Sequence, residues 1–205
     1  MMKKVILLVI TLVYLAGHAV GQDFTAISDA FKQSYSYEDE SKYTEAAAEL
    51  KKVYDANSYE INLRLGWLTY KAGSFIESTE YYQKAIDLKP FAVEPHLGFV
   101  MPAAAAGNYN QVEDQYTRIL SVDPMNTKAN YWLGVIYYNR EQFDIALKYF
   151  EKVINLYPFD YDCTIMHAWT NYKLGNLREA KVLFQKALLI SPGDTSALEG
   201  LGLIQ

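Results

Sequence analysis

Cys163 and His167 stand four residues apart, a spacing that puts both on one face of a helix, where an imidazole beside a thiol could generate a nucleophilic thiolate. Nothing beyond that spacing supports the pair, and two neighbouring core residues would show the same pattern. The chain of 205 residues has 3 His and 1 Cys, too few for a His-based centre or a metal site of the usual kinds. No glycine-rich phosphate loop, zinc-protease helix motif, serine-hydrolase elbow or calcium loop occurs. The residues therefore predict no catalysis, no metal and no cofactor. A lone cysteine in an oxidising compartment is either buried or intermolecular, and the place of Cys163 in a predicted helix beside Thr164 and Ile165 points to burial. The acidic stretch Glu38-Asp39-Glu40 reads as solvated turn residues near a helix start. With 19 basic against 24 acidic residues and a formal net charge of -5, the chain lacks the basic excess that a phosphate backbone demands, which excludes nucleic acid as a partner.

The elements that position these residues follow from four prolines. Pro90, Pro124, Pro158 and Pro192 are evenly spaced, each just after an apolar helical pattern, and proline cannot continue a helix. Gly73, Gly107 and Gly175 fall on the same lattice half a period earlier, with Glu141 in place of the missing member, and mark turns that split every unit into two helices. The second helix is amphipathic: Phe143, Ala146, Leu147, Phe150, Val153 and Ile154 form a helical stripe. Small residues stand where a neighbouring helix must come close: Gly66, Gly134, Ala168 and Gly202 on first helices, Ala85, Ala146, Ala180 and Ala187 on second helices. His96 and His167 sit on first helices two units apart, so roughly 20 Å or more is expected between them at helix spacings of 8–10 Å, too far for one site.

The 34-residue period, the two-helix unit, the small-large-small spacing from Leu65-Gly66 to Pro90 and from Leu133-Gly134 to Pro158, and the run Ala180 to Pro192 resemble tetratricopeptide repeats. The resemblance covers about residues 25–205. It implies an all-α, right-handed superhelical solenoid of antiparallel helix pairs, one domain over 22–205, with repeats at about 25–58, 59–92, 93–126, 127–160 and 161–194 and a terminal helix at 196–205. The first repeat diverges: Tyr43 precedes its counterpart Phe75 by slightly less than a full period, and Asn57-Ser58 stands where later units have proline.

In proteins of this kind the first helices line a concave groove that receives an extended peptide or a helix. Helical spacing carries that stripe through Phe31 and Tyr35; through Glu60, Leu63, Trp67 and Tyr70; through Glu94, Leu97, Met101 and Ala104; through Lys128, Tyr131, Val135 and Tyr138; and through Asp162, Ile165, Trp169 and Tyr172. The lining is aromatic and apolar with charge at the rim. Chaperone-binding members of the family clamp a terminal carboxylate with Lys, Arg and Asn at such positions; none of the inner positions here is basic or Asn, so that activity does not carry over. About half of these residues are expected to pack between repeats, with Trp67, Tyr70, Tyr138, Trp169 and Tyr172 at least partly exposed. Such rings give large contact area at low entropy cost. The implied function is a non-catalytic adaptor that binds a peptide or helix of another protein in the groove. The alternatives are a permanent structural subunit of an envelope secretion or outer-membrane assembly complex, and a glycan-binding groove.

Two departures bear on function. Pro102 falls inside the first helix of the third repeat, where it is expected to kink the chain, and Val100 stands at the small position of Gly66 and Gly134. Leu198, Leu201, Leu203 and Ile204 lie on a terminal helix with no second helix after it, which predicts either an imperfect cap or a docking end that includes self-association.

Lys3 and Lys4, an apolar run from Val5 to Ala16 and the small residues Gly17 to Gly21 form a signal-peptide layout over residues 1–21, with Gln22 as the expected new N-terminus. The run is shorter than the about 20 residues that span a bilayer, although an uncleaved anchor shares this layout. His18 stands where a lipoprotein needs cysteine, so no lipidation is expected. The resulting expectation is a bacterial exported protein, periplasmic or secreted, without a stable membrane anchor after cleavage.

Overall fold

The computed structural model describes residues 24–204, so the expected signal peptide lies outside the described residues. All regular structure among the described residues is helical: α1 at 24–39, α2 Tyr43–Lys51, α3 Tyr59–Lys71, α4 Phe75–Leu88, α5 Val93–Ala105, α6 Tyr109–Val122, α7 Thr127–Asn139, α8 Phe143–Leu156, α9 Tyr161–Lys173, α10 Leu177–Ile190 and α11 Thr195–Gly202. Odd-numbered helices are the first of each pair. None is long and apolar enough to cross a membrane. The chain forms two compact units that divide between Gly107 and Asn108. That division falls inside the third repeat, where the sequence implies one continuous domain. Helices α1–α5 belong to the first unit and α6–α11 to the second.

From α3 onward the first helices begin at the period of the prolines because their caps recur. The side chains of Ser58, Asn126, Asp160 and Asp194 accept hydrogen bonds from the N–H groups of Ile61, Ala129, Cys163 and Ala197, at 3.3, 3.0, 2.8 and 2.7 Å. Each satisfies a donor that the helix start leaves orphaned. The fifth member of this series, Ala92, has no capping side chain. It needs none, since the residue three on is Pro95, which has no N–H to cap.

Second helices stop where the prolines dictate. The residue before each proline, Lys89, Asp123, Tyr157 and Ser191, leaves helical geometry for φ between -137 and -127 and ψ between 74 and 87. Proline excludes the helical region for its predecessor. Between the helices of each pair the backbone reverses through a left-handed residue. Gly73, Gly107 and Gly175 sit at φ 81, 76 and 78, while Ser41 and Glu141 adopt φ 59 and 60 with side chains that disfavour it. The turn is closed in the same way in each pair shown, for example by Ser74 N–H on the Thr69 carbonyl at 2.8 Å and Gln142 N–H on the Tyr137 carbonyl at 2.9 Å.

A buried aromatic wedge recurs on the second helices. Tyr82, Tyr116, Phe150 and Phe184 stand one period apart and are at most 3% exposed. In the first unit a Cβ added to Gly66 or Gly98 would meet the Tyr82 ring at 2.9 or 2.2 Å; in the second, Gly134 lies as close to Phe150 (2.6 Å) and Gly200 to Phe184 (2.2 Å). Tyr82 therefore sits between the first helix of its own pair and the first helix of the next. This corrects one expectation and adds a position: Gly202 meets nothing within 4 Å because no second helix follows α11 among the described residues, and Gly98, against the Tyr82 ring of the preceding pair, is a close approach that the spacing argument did not name. At Pro102 α5 stays helical through to Ala105, and Pro102 is buried.

Candidate protein-binding face

The residues with catalytic potential are taken up by packing. The Cys163 Sγ–H donates to the Phe150 carbonyl at 3.4 Å, and burial, with the charge of Asp160 adding, pushes the thiol up to about 12. That is the opposite of an activated nucleophile. His167 is buried, its Nδ1 has no hydrogen-bond partner among the described residues, and desolvation with the charge of Lys186 holds its pKa down to about 4. His96 is buried with Nε2 3.3 Å from the Pro90 carbonyl. It shares a register with Asn62, Asn130 and Thr164, whose side chains bond the Ala56, Pro124 and Asp160 carbonyls at 3.0, 3.1 and 2.6 Å. All four tie the incoming loop to the helix start, so His96 is a packed loop clasp. Among the described residues no group of His, Cys, Asp or Glu is placed to hold a metal.

In the first unit the predicted stripe runs over α1, α3 and α5. Tyr35 is 51% and Met101 36% exposed, while Phe31, Leu63, Trp67, Tyr70 and Leu97 are half-buried. Trp67 is held by its neighbours: the indole N–H donates to Glu38 Oε1 at 2.5 Å, its ring centroid lies 6.1 Å from that of Tyr70, and Lys71 Nζ is 5.4 Å from the ring. Arg64 pairs with Glu38 and lays its guanidinium 3.9 Å over Tyr35. Burial alone would raise the Glu38 carboxyl, but hydrogen bonds from Arg64 and Trp67 and the charges of Arg64 and Lys71 outweigh it and hold it below its ordinary value. Glu38 is thus no solvated turn residue, and charge is not confined to the rim of this face. The sequence reading places Glu38 in solvent and passes over Arg64 and Lys71. The available signal was Arg64 itself, the one charged side chain in a register otherwise held by Gly98, Trp132, Met166 and Gly200.

In the second unit the stripe runs over α7 and α9, where Tyr131, Val135, Tyr138, Trp169 and Tyr172 are half-buried. The Trp169 N–H donates to Ser196 Oγ on α11 at 2.8 Å, and its ring packs edge-on to Phe184 at 4.9 Å and Tyr172 at 5.7 Å. Tyr131 contacts the wedge ring of Phe150 at 6.1 Å, and Tyr138 meets Phe143 at 5.3 Å. Ile165 departs from its expected place: only 9% exposed, it belongs to the core around Ala168 and Phe184 and offers a partner almost nothing. Trp132, 43% exposed beside Tyr131, supplies ring surface that the spacing argument passed over.

Comparison with known families and structures follows the same geometry. Residues 31–93 match a family model described as tetratricopeptide repeat, and residues 106–187 match one described as anaphase-promoting complex, cyclosome, subunit 3. Among curated proteins the chain is 28% identical over 156 residues to protein O-mannosyl-transferase TMTC1 of Homo sapiens, covering 73% of this chain and 18% of that protein. It is 27% identical over 143 residues to the TPR repeat-containing protein YpiA of Bacillus subtilis, covering 69% and 33%. The chain thus spans a third or less of the length of these relatives. Among solved structures it resembles a tetratricopeptide repeat protein from Parabacteroides merdae with a TM-score of 0.76 at 18% identity, covering 88% of this chain and 72% of that one. It also resembles MamA with a TM-score of 0.71 at 21% identity, covering 80% and 91%. The tetratricopeptide-repeat model matches residues 31–93, and with its helix pairs recurring at a constant period the chain has the fold of tetratricopeptide-repeat proteins.

Proposed function

We propose that this chain is an exported, non-catalytic adaptor whose first-helix faces hold an apolar or aromatic segment, a peptide or helix, of an envelope protein. The observation that carries the reading is the state of the two tryptophans. Trp67 and Trp169 are half-buried with their N–H groups already bonded within the chain, so what each offers a partner is ring surface. Rigid, pre-positioned rings lose little entropy on binding and favour apolar and aromatic partners over polar ones. The dispersed, buried Cys163, His96 and His167 favour no reaction, and the relative named as a transferase is matched over only 18% of its length. Export rests on the layout of residues 1–21.

A photo-crosslinking residue placed at Tyr35 or Met101 in living cells tests the binding face. It is expected to capture a discrete partner that the same residue at Asp144, on the exposed surface of α8, does not capture. Equal capture at all three sites defeats the reading. N-terminal sequencing of the protein recovered from the envelope fraction tests export, with Gln22 as the expected first residue.

A further inference from the structure

The helix pair α7–α8 carries a tyrosine on each helix where other pairs do not. In register with Tyr137 stand Thr69, Ala103 and Asn171, all buried, and in register with Tyr149 stand Tyr81, Gln115 and Leu183. From α3 to α10 only α7–α8 has tyrosine at both positions. The two rings lie parallel, with centroids 5.5 Å apart and planes 6° from each other, and both side chains are half-buried. The guanidinium carbon of Arg140 is 5.9 Å from the centre of the Tyr137 ring and Lys152 Nζ is 5.6 Å from that of Tyr149, so a cation steadies each ring. Arg140 also donates to Glu113 at 2.7 Å, and the Glu113 carboxylate lies beside the Tyr137 hydroxyl. A second tyrosine pair, Tyr54 and Tyr81 in the first unit, has its ring centroids 5.8 Å apart but meets edge-on at 70°.

We infer that Tyr137 and Tyr149 form a modification site, joined by a one-electron oxidant of the peroxidase or photochemical class into a dityrosine that ties α7 to α8. Burial raises both phenols above their ordinary value, so each starts protonated and gives up one electron together with one proton. The Glu113 carboxylate and water take the protons, and the oxidant takes the two electrons. Each radical is then neutral, and the flanking cations do not oppose it. The radicals join through ring carbons ortho to the hydroxyls, where the unpaired electron resides in part. The hydrogens on those carbons move to the oxygens and restore both phenols, so one C–C bond replaces two C–H bonds and two hydrogens are lost in all. Rings held parallel and in contact bring these carbons together, whereas the edge-on Tyr54 and Tyr81 must first reorient. The product is a cross-link that reductants leave intact, in a chain whose one cysteine is buried and offers no disulfide.

The test illuminates the dilute whole chain with ruthenium tris-bipyridine and persulfate, then digests the monomer fraction for tandem mass spectrometry. A cross-link between the peptides of Tyr137 and Tyr149, lighter by two hydrogens than their sum, is expected at least about tenfold above any link between Tyr54 and Tyr81, the effect of proximity and fixed orientation. Tyr137→Phe and Tyr149→Phe should each remove most of the dityrosine fluorescence of the monomer while keeping the wild-type helical circular dichroism. Unfolding the wild type in urea before illumination should reduce the link by about tenfold or more, since the rings are then no longer held together. The inference is overturned if the folded monomer forms no link between Tyr137 and Tyr149, if the link between Tyr54 and Tyr81 is as abundant, or if the chain in urea forms the first link as readily.

Discussion

Trp67 and Trp169 occupy the same register three repeats apart, yet bond in opposite directions: Trp67 donates back to Glu38 on the preceding first helix, Trp169 forward to Ser196 on the following one. Each indole thereby ties two neighbouring first helices together at the surface where a partner would lie. The consequences differ, because one acceptor is a carboxylate and the other a neutral hydroxyl.

Only the first of these links is sensitive to pH. The Glu38 carboxyl is held below its ordinary value of 4.5, so its contribution to stability is fully present above that value and is lost as pH falls through the lower folded-state value. Glu38→Gln should therefore lower the urea midpoint at pH 7, and the gap to wild type should close below about pH 4. Ser196→Ala should show no such convergence. Urea titrations at both pH values check this.

Glu141 is held at φ 60, where its counterparts Gly73, Gly107 and Gly175 meet no steric penalty. Replacing Glu141 by Gly should raise stability by about 1 kcal/mol, and Gly175→Ala should lower it by about as much. Thermal unfolding followed by circular dichroism gives both signs.

Small residues on the first helices should be unequal. Gly134→Ala drives a methyl into the Phe150 ring at 2.6 Å and should cost about 1–3 kcal/mol. Gly202→Ala meets open space and should be neutral or stabilising by up to about 1 kcal/mol through helix propensity. Denaturant midpoints at constant slope distinguish the two.

Cys163, with its thiol buried and pushed up to about 12, should resist a disulfide-exchange reagent in the folded protein and react at once in denaturant. Rapid reaction of folded protein would show that the site opens.

The periodic features of the fold were legible because backbone chemistry imposes them. Proline stops and left-handed turns each force a residue type at a fixed place, so Pro90 and Gly73 point to structure with no knowledge of the rest of the chain. Glu141 at φ 60 shows that the lattice outranks the residue. What stayed hidden depends on which side chain reaches which. Glu38 lies in the first repeat, where the register falls short of the full period, so its meeting with Arg64 and Trp67 could not be read by counting. The depth of Ile165 and the close approach at Gly98 follow from how the wedge rings of Phe184 and Tyr82 fill space, and composition does not encode that.

The most direct measurement of the central claim is the affinity of the captured partner segment for wild type, Trp67→Ala and Trp169→Ala, measured by calorimetry with the fold of each variant checked by circular dichroism. The account predicts a loss of about tenfold or more for at least one of the two with the helical content unchanged, the scale of an aromatic hot spot. Wild-type affinity in both folded variants would contradict it.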